Sequence, residues 1–154
     1  MGYSVAITLA MRDNAFMPIT VEWDNPQQTA VLFTYNRPWT WKEFDAAVEQ
    51  TIRMIDASDH RVDVIFDLRK GGFPPRDAVQ RFKEAAEITH PNLGQYVYVA
   101  PSMLVHFVKN VIQILNRAYS FGGFEVPSIV FTKSPEEARE FLARLYEPDM
   151  ETGN

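Results

Sequence analysis

The stretch VDVIFDLRKGGFPPRDA, Val62 to Ala78, constrains the fold more than any other part of the chain. Its β-branched and aromatic beginning reads as a strand, Val62 to Leu68, followed by a basic glycine turn. The Pro74-Pro75 pair then reads as the start of a helix bearing Ala78, Val79, Phe82, Ala85 and Ala86. In an open α/β sheet, ligands and regulatory groups gather at the carboxyl ends of parallel strands. Asp67, Arg69, Lys70, Gly71, Gly72 and Phe73 fall at such an end and are the first candidate site residues.

The flanking segments extend this unit in both directions. Ile19, Val21 and Trp23 alternate with Thr20, Glu22 and Asp24, and a second alternating run covers Ala30 to Tyr35, so an antiparallel hairpin is expected. Thr40 and Glu43 have the spacing of a capping box, and Trp39 and Phe44 that of a hydrophobic staple. A helix with the stripe Phe44, Val48, Ile52 and Ile55 should follow to Ala57. Beyond His90-Pro91-Asn92 come a strand at Val97 to Ala100, a helix from Ser102 to Tyr119 closed by Phe121-Gly122-Gly123-Phe124, and a strand at Ser128 to Thr132. Ser134-Pro135-Glu136-Glu137 opens a last helix with Ala138, Phe141, Leu142 and Leu145 toward the core.

These elements predict an α/β fold: one mixed, mostly parallel five-stranded sheet with an N-terminal β-hairpin and four helices. Residues 1-16 are expected to form an arm or an extra edge strand, residues 17-146 the domain, and residues 147-154 a tail. The alternating strands further predict a sheet face that helices do not fully cover.

At 154 residues the chain can bury roughly two-thirds of its unfolded surface in one core. A net charge of -5 speaks against a general nucleic-acid binder, and the lack of cysteine excludes disulfides and thiolate chemistry. Met1 to Met11 lacks a basic start and a leucine-like run, so no secretory signal is expected. The longest apolar segment, Met103 to Leu115, is interrupted by His106, Lys109 and Asn110, and a soluble, cytoplasmic protein without an integral membrane segment is expected.

The element order, the Val64-Ile65-Phe66-Asp67 strand, Trp39-Thr40-Trp41, Phe44 and Glu136-Glu137-Ala138 together resemble the STAS or SpoIIAA-like fold, which is shared with Sec14/CRAL-TRIO lipid-binding domains. The resemblance spans Pro18 to Leu145 and implies a non-enzymatic domain that binds a partner or a small ligand. In the anti-sigma-factor antagonists of that family, a serine or threonine just after the corresponding strand is phosphorylated. Between Asp59 and Ile88 this chain has no such hydroxyl residue, so the switch does not carry over.

Other chemistry finds few parts. Arg69, Lys70, Gly71 and Gly72 before a helix suit an anion, but match neither a P-loop nor a dinucleotide fingerprint. Asp67 and Lys133 resemble two parts of a phospho-accepting receiver, yet Asp24 precedes a hairpin turn and supplies no acidic pair. His60, His90 and His106 have no metal-ligating spacing, and no cofactor is implied.

The leading expectation is a protein-interaction or regulatory module, self-associating as a homodimer through the open sheet face, with Tyr96 and Tyr98 in the contact, or through the Arg69 to Phe73 loop. The alternative is a carrier or sensor of a small apolar or anionic ligand between the Met103 to Tyr119 helix and the sheet, with Phe121 and Phe124 as a tip over it.

Overall fold

The computed structural model describes residues 17-119 and 129-147. Strands β1 (Ile19–Trp23) and β2 (Ala30–Asn36) form the expected hairpin, with Val21 opposite Phe33. Helix α1 (Trp41–Asp56) leads to β3 (Val62–Lys70), and α2 (Ala78–Ala86) to β4 (Leu93–Val99). Helix α3 (Ser102–Tyr119) then precedes β5 (Ile129–Thr132), and α4 (Pro135–Leu145) follows it. The sheet is mixed and five-stranded, in the order β1-β2-β3-β4-β5. Among the described strands, only the β1-β2 pair is antiparallel.

This sequential order has a direct consequence for layering. Parallel crossovers are right-handed, so crossovers that all step in one direction across a sheet place their helices on one face. Side chains of α1, α2 and α3 accordingly gather over Phe33, Val64, Phe66 and Tyr96. Helix α4, which follows the last described strand, covers the opposite face, where Ala138 and Leu142 pack on Ile65, Val97 and Val99.

The helix starts follow their local chemistry. The Thr40 hydroxyl accepts the Glu43 amide at 3.4 Å and donates to Glu43 Oε1 at 2.8 Å. Ser134 Oγ accepts the Glu137 amide at 3.1 Å, while the Glu137 carboxylate reaches the Lys133 amide at 3.0 Å. The start of α2 differs from expectation. Asp77 has φ of 69°, a left-handed conformation that interrupts a helix, and the Arg76 carbonyl accepts from Trp41 Nε1 at 2.6 Å. Pro74 and Pro75 therefore lie in the preceding loop, and the helix begins at Ala78.

The fourth strand is longer than the run Val97 to Ala100 that its apolar residues mark. Its early part is held by Asp63, whose Oδ1 accepts the Gln95 amide at 2.7 Å beside a register shift between Val62 and Val64. Gly94 makes room for this carboxylate, since a Cβ there would stand 2.2 Å from Asp63 Oδ1. Tyr146 Oη donates to the same oxygen at 2.7 Å and lies under the Arg61 guanidinium, which fastens the end of α4 to the sheet.

Candidate functional site

The site grows from one parity of the strands. Phe33 and Tyr35 on β2, Phe66 and Leu68 on β3, and Tyr96 and Tyr98 on β4 all project to the face crossed by α1, α2 and α3. Their rings are in sequence contact across the sheet: Tyr35 with Phe33 at 5.1 Å, Phe33 with Phe66 at 5.2 Å, and Phe66 stacked on Tyr98 at 4.7 Å. This aromatic floor faces Phe44, Val48 and Ile55 of α1 on one side and Leu104, Phe107 and Val111 of α3 on the other. Between floor and helices lies a cavity of about 150 Å³.

Helix α3 packs against α2 beside the cavity. Gly72 and Pro74 of the β3-α2 loop border it, and Phe73 packs edge-on against Phe107 at 5.8 Å while remaining 56% exposed. Trp39 ties this rim to the core: its Nε1 donates to the Gly71 carbonyl at 3.0 Å, and its ring lies 5.1 Å from Tyr35. Gly71 permits the approach, since a Cβ there would come within 2.8 Å of the Tyr35 Cβ.

Most polar groups in the wall are already committed. The Thr51 hydroxyl donates to the Ala47 carbonyl at 2.8 Å. His90 Nδ1 accepts the Asn92 amide at 3.0 Å, which leaves the proton on Nε2 to meet Asp56 at 2.6 Å. Tyr35, Tyr96 and Tyr98 also line the cavity. Burial pushes all three above the ordinary tyrosine value, and Tyr98 adds to the rise at Tyr35 as Tyr96 does at Tyr98. No arginine or lysine lines the cavity among the described residues.

The sequence-derived candidates are thus divided by the sheet. Tyr96, Tyr98 and Gly72 meet at the cavity, with Phe73 on its rim. Placing Tyr96 and Tyr98 on the open sheet face is corrected: their register beside Val64 and Phe66 turns both toward the helices. Asp67 and Arg69 project to the α4 side, where Arg69 Nε and Nη2 donate to Asp67 at 2.9 and 2.8 Å. Burial raises the Asp67 carboxyl, but the hydrogen bonds and charge of Arg69, with Lys70, outweigh it and hold the group below its ordinary value. Lys70 is exposed at the strand end, and the Gly71 amide turns inward to Leu68. Phe121 and Phe124 lie outside the described residues.

The part of the sheet face that α4 leaves open carries Thr20, Glu22 and Thr34, a polar surface. Asp24 sits at the other end of the sheet from Asp67, bound by Arg139 at 2.7 Å. The residues that pattern reading passed over as site components are Phe33, Tyr35 and Phe66. Only the strand register places them on one face with Tyr96 and Tyr98.

No helix among the described residues is long and apolar enough to cross a membrane. Compared with protein-family models, curated proteins and solved structures, the chain matches none of them.

Proposed function

We propose that this protein is a STAS-like, non-enzymatic module that carries or senses a small apolar ligand between its aromatic sheet face and α3. The single observation that supports this reading is the cavity of about 150 Å³ under α3. An apolar cavity of roughly this size accepts a molecule as small as benzene. The resemblance to the SpoIIAA-like fold is supported by the sequential strand order and by the position of α4 on the face opposite the crossover helices. Binding, rather than turnover, suits a wall whose imidazole and indole groups are held by internal hydrogen bonds.

The decisive experiment is thermal unfolding of the full chain with toluene, alongside native mass spectrometry of gently purified protein. Saturating toluene should raise Tm by roughly 5–10 °C, the shift that ligand at 100 times its Kd confers on a domain of this size. Val108→Trp, which fills the cavity from α3, should abolish the rise. No rise in the natural protein, or an equal rise in Val108→Trp, would sink the reading.

A further inference from the structure

We propose that the end of the molecule formed by the carboxyl ends of β2, β3 and β4 docks on an anionic lipid bilayer. Met17, Phe73 and Met103 enter the headgroup layer, and Arg37, Lys70 and Arg76 meet its negative charge. This goes beyond the ligand reading and does not depend on the cavity.

Local connections bring these residues to one end. Met17 precedes Pro18, whose carbonyl accepts the Asn36 amide at 2.6 Å at the end of β2. The Arg37 amide donates to the Lys70 carbonyl at 2.9 Å, and the Arg37 side chain lies beside Gly72, where a Cβ would stand 3.2 Å from Arg37 Cδ. Arg76 is tied to the same end through its carbonyl, which accepts Trp41 Nε1 at 2.6 Å. Phe73 meets Phe107 at 5.8 Å between ring centroids, and Met103 lies one turn before Phe107 in α3. Met17, Phe73 and Met103 are 46%, 56% and 69% exposed. Three part-exposed side chains cover far less than the roughly 800 Å² per partner of a stable protein interface. A bilayer needs only shallow apolar insertion combined with attraction to its charge.

Charge sets the orientation. Arg37, Lys70 and Arg76 are exposed, and none forms a salt bridge among the described residues. Asp67 is held by Arg69 at 2.8 Å, and Asp77 is the acidic residue of the Gly71 to Asp77 loop. The chain as a whole carries a net charge of -5, and Asp56, Asp59 and Glu87 lie at the opposite end, where α1 and α2 finish. A negative membrane therefore repels the far end and attracts this one.

The test is sedimentation of the full chain with vesicles of phosphatidylcholine alone and of phosphatidylcholine mixed with phosphatidylserine. Binding is expected to the mixed vesicles, and to weaken as salt is raised. Arg37→Gln, Lys70→Gln and Arg76→Gln should each weaken it about fivefold. Phe73→Ser and Met103→Ser should each weaken it about tenfold. Arg53→Gln, in the last turn of α1, removes the same charge at the far end and should change nothing. No binding to the mixed vesicles, or equal weakening by Arg53→Gln, would overturn the proposal. Binding that loses strength with the three cations but ignores both serine variants would also overturn it, leaving the patch to an acidic protein. Val108→Trp should bind vesicles as the natural chain does, so this proposal and the ligand reading fail separately.

Discussion

On the face covered by α4, Ala138 is fully buried and seats its helix on Ile65, Val97 and Val99, each no more than 1% exposed. On the opposite face, Phe66, Tyr96 and Tyr98 lie only partly covered beneath α3. The difference is one of complementary size. A small residue at the centre of α4 lets the helix approach a floor of valines and isoleucine, whereas α3 brings Leu104, Phe107 and Val111 over a floor of aromatic rings. Large side chains facing large side chains do not interdigitate, and the unfilled space stays as a cavity in an otherwise dense interior.

The largest effect that would test this contrast is a pair of truncations. Ile65→Ala should cost about 3 kcal/mol, as expected where a tightly packed site cannot collapse. Ile112→Ala, at a half-buried position already beside open volume, should cost about 1 kcal/mol. Urea unfolding with unchanged m-values would measure both, and equal losses would break the comparison between the faces.

A smaller effect concerns the latch that seats α4. Tyr146→Phe removes the hydroxyl bond to Asp63 and should cost about 1 kcal/mol. Its pH signature separates two aspartates on one strand. Burial raises Asp63, against the opposing pull of the Gln95 amide and Arg61. Its contribution to stability is therefore complete below the unfolded value of about 3.9 and is lost as pH rises through the native value. Asp67 is lowered, so its contribution is present above that unfolded value and is lost as pH falls through the native one. Asp63→Asn should flatten the decline on the rising side, and Asp67→Asn that on the acid side, in stability measured across pH. An Asp63→Asn profile parallel to that of the natural protein would remove Asp63 from the account.

The smallest expected effect sharpens the description of the cavity rim. Phe73→Ser should change stability by no more than about 0.5 kcal/mol because the ring is largely exposed. If Phe73 guards the opening through Phe107, the same substitution will speed toluene exchange measured by NMR line shape. Unchanged exchange would place the opening elsewhere.

Much of the framework was legible because local rules act over a few residues. The hairpin follows from Ile19, Val21 and Trp23, α1 from the Thr40 cap, and α4 from Ser134 and Pro135. The site was legible only in part. Tyr96 and Tyr98 stood out as aromatics, but their face depends on pairing with Val64 and Phe66, which no local pattern states. The α2 start was missed for a similar reason: Trp41, 35 residues away, captures the Arg76 carbonyl. Arg69 looked available to an anion until the strand's two-residue period brought it beside Asp67 on the same face.

The sequence by itself determined the kinds and order of the elements, through periodicity, helix caps and glycine placement. Only the tertiary structure decided that the strands lie in sequential order, that three crossover helices therefore share one face, and that Tyr35, Tyr96 and Tyr98 meet around one cavity. The physical reason is that side-chain chemistry is written residue by residue, whereas a cavity is a property of how distant surfaces fail to fill the space between them.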